Sequence, residues 1–161
     1  MMGKGIFITG TDTGIGKTIV TACLAATLSK QGLKVAVYKP VQSGAIEKKG
    51  RLISPDLEVI REYSSLKDND LFNSYCLKEE SSPHPAAELE SIDIDISQIK
   101  EKYNNLVNKY DYVLVEGAGG LIVPIKRDYL IIDLIRDLNI PVIVVARSGL
   151  GTINHTSLTL N

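Results

Sequence analysis

Gly10-Thr11-Asp12-Thr13-Gly14-Ile15-Gly16-Lys17-Thr18 is the stretch on which the fold turns. A short apolar run, Ile6-Phe7-Ile8, leads into it, and an apolar-periodic segment from about Lys17 to Gln31 leads out. Strand, glycine-rich turn, Gly-Lys-Thr and helix together compose a phosphate-binding loop. Glycines let the backbone curl until its N–H groups point at phosphate oxygens, and the helix N-terminus adds positive potential. The expected nucleotide contacts are Thr13, Gly14, Ile15, Gly16, Lys17 and Thr18, with Lys17 on the outer phosphates and the Thr18 hydroxyl helping to hold Mg²⁺. Five residues, one more than usual, separate Gly10 from Gly16, and Thr11 stands where a glycine is usual. A turn that is glycine-rich for steric reasons only would not explain a lysine and a hydroxyl at the helix start.

Length and composition frame this motif. The 161 residues suit one domain, 1–161, with enough apolar content for a real core. Eighteen basic against nineteen acidic residues give a net charge of −1. That balance offers no electrostatic footprint for nucleic acid or an anionic membrane. No apolar run approaches a membrane span and no signal peptide precedes the first strand, so a cytoplasmic protein with free thiols at Cys23 and Cys76 is expected. Cys23 shares a helical face with Val20, Leu24, Thr27 and Leu28 and reads as buried packing. The chain stops at Leu158-Thr159-Leu160-Asn161, within the first turns of a helix, and further elements are expected beyond it.

Taken outward from the loop, apolar strands alternate with helices. Gly32 caps the first helix, and Val35-Ala36-Val37-Tyr38 reads as the second strand. Lys39-Pro40-Val41-Gln42-Ser43-Gly44 follows at its carboxyl end, so Lys39 is expected at a strand end rather than in the core. Ala45 to Arg51 reads as a charged, mobile loop. Ser54 and Pro55 start a helix running to about Tyr63 with Leu57 and Ile60 inward. Phe72 to Leu77 forms a weak strand signal, and Ser81-Ser82-Pro83-His84-Pro85 reads as a loop or turn. Asp95 and Gln98 resemble a capping box before an amphipathic helix. Tyr112 to Val115 is a buried strand ending in Glu116-Gly117-Ala118-Gly119-Gly120. A helix over Tyr129 to Leu138, a strand over Val142 to Ala146 and a helix opened by Gly149-Leu150-Gly151-Thr152-Ile153-Asn154-His155 complete the chain. The fold expected is α/β, a doubly wound and mostly parallel sheet of P-loop NTPase-like type.

In such a sheet all carboxyl ends face one crevice, so the phosphate loop, Lys39 to Gly44, Glu116 to Gly120 and Gly149 to Asn154 are expected to converge there although distant in sequence. Glu116 ends an apolar strand, where an acidic residue of a nucleotide enzyme lies close to Mg²⁺, although a solvated strand-end carboxylate is common. Asp56, at a helix start, taken alone reads as a dipole-stabilising residue. His84 and His155 have no partner at catalytic spacing and read as structural.

Together Thr9 to Thr18, Tyr38-Lys-Pro-Val-Gln-Ser-Gly44, Ser81-Ser-Pro-His84, Val115-Glu-Gly-Ala-Gly-Gly120 and Gly151-Thr-Ile-Asn-His155 resemble the dethiobiotin synthetase family. The resemblance spans nearly the whole chain in the family's order, and the five-residue loop spacing is the family's form. It implies an ATP- and Mg²⁺-dependent ligase of biotin synthesis: CO₂ is fixed on 7,8-diaminononanoate, the carbamate is phosphorylated, and a second amine closes the cyclic urea. Lys17 and Lys39 are then catalytic, and Thr13, Lys39 and Ser43 contact carbamate or substrate. Asp56, Glu116, Gly117, Ala118 and Gly119 join the ATP site, and Thr18, Asp56 and Glu116 surround Mg²⁺. Gly151, Thr152, Ile153 and Asn154 hold the substrate's carboxylate from a neighbouring subunit, which implies a homodimer with shared active sites. The rival is a switch ATPase of the partitioning or targeting type. Those proteins usually carry an additional lysine early in the phosphate loop, where this chain has Thr11 and Asp12.

Overall fold

A computed structural model describes residues 3–161. Its centre is a five-stranded sheet in the order β5-β2-β6-β1-β9, with every neighbouring pair parallel. These strands are β1 (Lys4–Gly10), β2 (Val35–Gln42), β5 (Leu71–Cys76), β6 (Tyr112–Gly120) and β9 (Val142–Val145). Two small antiparallel ribbons stand apart, β3 (Ile46–Lys48) with β4 (Arg51–Ile53), and β7 (Pro124–Lys126) with β8 (Tyr129–Leu130). The helices are α1 (Lys17–Lys30), α2 (Pro55–Tyr63), α3 (Pro83–Leu89), α4 (Ile96–Val107), α5 (Ile131–Leu138) and α6 (Thr152–Leu160).

Alternation along each strand sends side chains to both faces, and both faces are apolar because helices cover both. On one, Phe7, Ala36, Tyr38, Val113 and Val115 pack with Ile99, Tyr103 and Leu106 of α4 and Ile131 and Leu134 of α5. On the other, Ile8, Val35, Val37 and Leu114 pack with Ala22 and Ala25 of α1 and Leu57 and Ile60 of α2. Each large side chain buried in these layers contributes about 1.5–3 kcal/mol relative to exposure.

Several local features differ from the sequence reading. The segment Ala45 to Arg51 is no loop: most of it forms the β3–β4 ribbon, turned at Lys49-Gly50, where both φ angles are positive (52° and 74°). An X-Gly pair in that conformation matches the twist of a two-residue hairpin. Ser82 caps α3 and Pro83 occupies its first position, so the Pro-His-Pro run begins a helix instead of breaking one. The Asp95 carboxylate accepts from the Ser97 N–H as N-cap, whereas Gln98 pairs with the Tyr75 hydroxyl, leaving half of the expected capping box. Strand β2 continues through Lys39 to Gln42 because β5 pairs with it there, while its pairing with β6 ends at Tyr38. Pro40 therefore costs the β6 ladder no hydrogen bond. Cys23 is exposed, since the buried side of α1 runs through Thr21, Ala22 and Ala25.

Candidate active site

Strands β1 and β6 lie side by side with Ile8 opposite Glu116, so the phosphate loop and Glu116 emerge from neighbouring strand ends. Between Glu116 and Gly120, β6 carries two residues more than β1 carries between Ile8 and Gly10. The surplus is a bulge, and Gly119 sits in it at φ +62° with an added Cβ only 2.7 Å from Val123 Cγ2. A side chain there would be strained twice over, which keeps the backbone at Gly119 bare toward Thr13 of the loop.

The loop's curl depends on Gly16, the N-cap of α1, at φ 101°. Asp12 draws it tight: its carboxylate accepts from the Thr13 N–H at 2.7 Å, and its carbonyl accepts from Lys17 Nζ at 2.9 Å. Lys17 is 7% exposed. Burial, and after it the nearby Lys39 charge, push its ammonium below the usual lysine range, against the pull of Glu116, Asp56 and Asp12.

Lys39 is the centre of the cluster. Although it lies near the end of β2, it is buried, 3% exposed, so the expectation of a position outside the core was wrong. Its ammonium pairs with Asp56 Oδ2 from the first turn of α2 and donates to Glu116 Oε1 at 2.9 Å and to the Gly117 carbonyl at 3.3 Å. Burial alone would lower its pKa, but Glu116 and then Asp56 outweigh it and hold the group above the usual lysine range. The Thr18 hydroxyl donates to the same Glu116 oxygen at 3.1 Å, and the second Glu116 oxygen is buried with no partner. Lys39 from β2 and Thr18 from the start of α1 thus meet on one fully buried carboxylate of β6, and Lys39 joins Asp56 at the start of α2 to it.

A cavity of about 730 Å³ opens over this cluster. It is lined by Thr13, Gly14, Gly16, Lys17, Thr18, Lys39, Ser43, Asp56, Glu116, Ala118 and Gly119 among the residues the sequence nominates. Ile15 does not face it: its side chain lies beneath the loop, where a Cβ on Gly10 would meet Ile15 Cδ1 at 2.4 Å. Gly117 is turned toward the core, packed on the Phe7 ring, and offers only its carbonyl to Lys39. Gly151, Thr152, Ile153 and Asn154 stand away from the cavity at the start of α6, where Ile153 is 82% exposed. Within one chain nothing brings them to Lys39.

The cavity also has walls that sequence reasoning gave no role: Gln42, Ile46, Pro55, Ser81, Pro83 and Val123. Gln42, Ser81 and Pro83 lay inside the quoted motifs and Pro55 at a helix start, but the motifs assigned them no contact, and the loop reading of Ser81 to Pro85 concealed that segment's position. Arg147 comes near the loop tip as well, 3.3 Å from Asp12 Oδ2, in a half-exposed pair of small energetic weight.

Among the described residues no three His, Cys, Asp or Glu side chains gather into a cage for a metal ion. Mg²⁺ does not need one, because it takes hard oxygens and keeps waters and substrate phosphates in its shell. Thr18, Asp56 and Glu116 supply that kind of donor set, and the second, buried Glu116 oxygen, left without a partner, is an open donor atom for such an ion.

Comparison with known proteins identifies the family and the fold. A family model described as an AAA domain matches residues 4–161. The ATP-dependent dethiobiotin synthetase BioD of Thermodesulfovibrio yellowstonii is 44% identical over 99% of this chain and 70% of its own length. Its counterpart from Anoxybacillus flavithermus is 47% identical, covering 98% and 71%, and that from Methanococcus vannielii 46%, covering 97% and 71%. Among solved structures, a ParA family ATPase from Chlorobium tepidum superposes with TM-score 0.56 at 15% identity, covering 98% of this chain and 66% of the other. The BceF tyrosine kinase domain gives TM-score 0.54 at 20% identity, with coverage of 98% and 62%. This chain therefore spans just under two thirds of those two structures, and their likeness establishes the fold alone. With relatives of this identity along nearly all of its length, the chain belongs to the dethiobiotin synthetase family.

Proposed function

We infer that this chain is an ATP-dependent dethiobiotin synthetase that closes a cyclic urea on 7,8-diaminononanoate with CO₂, turning ATP into ADP and phosphate. The observation that carries the reading is Lys39, buried between two carboxylates beside the phosphate loop and sharing one cavity with Ser43. The reaction needs little acid–base machinery. One amine takes up CO₂ as a carbamate, a carbamate oxygen attacks the γ-phosphorus, and the second amine displaces phosphate as the ring closes. The first step creates an anion, the second brings that anion against the γ-phosphate and the third releases phosphate, so catalysis rests on alignment and on positive charge aimed where negative charge develops.

Each residue then has a task. The turn from Thr13 to Gly16 cradles the phosphates, and Lys17 leaves the Asp12 carbonyl to reach the outer ones. Lys39 turns toward the carbamate and the transferring phosphoryl group. Thr13 and Ser43 orient the diamine, and the bare backbone at Gly119, beside Ala118, lets the nucleotide approach. Thr18, Asp56 and Glu116 would hold Mg²⁺, which when bound neutralises phosphate charge. Cytoplasmic location suits an ATP-consuming ligase with free thiols.

Two expected results follow from these assignments. Asp56→Asn and Glu116→Gln each replace a charged hard-oxygen ligand by a neutral one and should raise the Mg²⁺ needed for half-maximal activity. Unchanged Mg²⁺ titrations in both variants would remove the pair from the metal site. The exposed start of α6, with Gly151 to Asn154 remote from Lys39, supports a homodimer in which each carboxylate tail is held by the other subunit. Mixing Lys39→Ala with Asn154→Glu, each inactive alone, should restore part of the activity, because half of the sites in a mixed dimer carry neither lesion. Mixed dimers that form and stay inactive would contradict shared sites. The reading as a whole is tested by ADP release, which should require both the diamine and bicarbonate.

A further inference from the structure

Gln42 ends β2 with its side chain turned inward, 6% exposed. Its Oε1 accepts from the Ser54 hydroxyl at 2.6 Å, and its Nε2 donates to the Ser43 carbonyl at 2.6 Å. A carbonyl only accepts, so the Ser43 contact sets which way the amide faces. Ser54, 4% exposed, is the N-cap of α2 and in turn accepts from the Leu57 N–H at 3.1 Å. One residue beyond Pro55 on that helix stands Asp56. On the other side, the Ser43 hydroxyl is buried without a partner, and its direction follows from the peptide that the Gln42 amide holds.

We propose that Gln42 is a positioning residue for the reaction, a clamp that sets Ser43 and the Asp56-bearing start of α2 in one geometry. The proposal rests on the roles assigned above to Ser43 and Asp56. Strand β2 and helix α2 are tied at two points, Lys39 to Asp56 and Gln42 to Ser54. The first tie must loosen when Lys39 turns toward substrate charge; the second need not. Between the two elements runs the β3–β4 ribbon, whose pair with α2, Lys48 with Glu58 at 3.4 Å, is largely exposed and holds little. Without the clamp, Asp56 would lose its fixed place at the moment the site is loaded.

The chemistry explains the residue type. An amide presents an acceptor to Ser54 and a donor to Ser43 at once. Glutamate would set a carboxylate against a carbonyl, and leucine or methionine would take the partner from the Ser43 carbonyl and from the Ser54 hydroxyl proton in a buried place. Partners that orient the groups around a metal typically change metal affinity or activity 10–100-fold when removed.

The full chain serves for the test, with Gln42→Met as the near-isosteric loss, Ser54→Thr as the variant that keeps the hydroxyl, and Ser54→Asp as one that keeps a helix cap but cannot donate to Gln42. Readouts are the KM for the diamine, Mn²⁺ affinity in the presence of ADP by electron paramagnetic resonance, metal-free ADP affinity, and Tm. Gln42→Met and Ser54→Asp should raise the KM and weaken Mn²⁺ binding about 10-fold, with metal-free ADP affinity unchanged and Ser54→Thr close to the parent. A lowered Tm with KM and Mn²⁺ affinity unaltered would make Gln42 merely structural and overturn the proposal. Should Gln42→Met not fold, Ser54→Asp decides alone. A parent chain that forms no cyclic urea would sink the synthetase reading, while the Mn²⁺ measurement still judges the clamp.

Discussion

Lys39→Ala is expected to lower turnover with saturating ATP, diamine and bicarbonate by about 10²–10³, the usual effect of removing one preorganised electrostatic contact to a developing charge. The same substitution should destabilise the fold, because it leaves Glu116, fully buried, without its cation. Breaking a buried ion pair from one side costs about 3–5 kcal/mol, while the pair as a whole contributes far less. Turnover must therefore be normalised to folded protein, with circular dichroism as the control. A folded variant with parental turnover would refute the role. Lys39→Arg should not rescue the rate, since a planar guanidinium cannot repeat a point charge held among Asp56, Glu116 and the Gly117 carbonyl.

Phe7→Ala is expected to cost about 3–5 kcal/mol of stability, the range for truncating a buried aromatic residue. Phe7 is 0% exposed at the middle of the central layer, and its ring is packed against Gly117, where even a Cβ would approach Cε1 to 2.9 Å. Domains of this kind are stable by about 5–15 kcal/mol in all, so the variant should unfold at much lower urea. Because the ring also floors the bulge of β6, the folded fraction should bind ADP more weakly. A urea midpoint within error of the parent would mean that this layer collapses around the loss and that the packing described here matters little.

The elements legible in the sequence were those whose cause is local. Glycines followed by Lys17 and Thr18 between a strand and a helix allow one reading, and Ser54-Pro55 starts α2 as a capping residue with proline at the first position does. What escaped depends on partners distant in the chain. β2 runs on past Tyr38 only because β5 pairs with Lys39, Val41 and Gln42, a contact between weakly patterned segments. Lys39 is buried because Asp56 and Glu116, at a helix start and another strand's end, make its burial tolerable; without them a lysine belongs at the surface. The Lys49-Gly50 turn was hidden by the charge around it, and the exposure of Cys23 by a helix whose inner face is built of alanines and a threonine. The convergence of Lys17, Lys39 and Glu116 was foreseeable from the parallel topology, whereas Asp56 joined them only through the family resemblance and Gly149 to Asn154, expected on the same edge, stays outside the cavity. The ion pairs joining them were not, nor was the amide of Gln42 beneath.

The most direct test supplies the chain with ATP, 7,8-diaminononanoate and [¹³C]bicarbonate and follows the product by mass spectrometry. One labelled carbon should enter a cyclic urea for each ADP formed, and no ADP should accumulate when either the diamine or bicarbonate is withheld. ADP formed at the same rate without the diamine, with no labelled urea, would contradict the account.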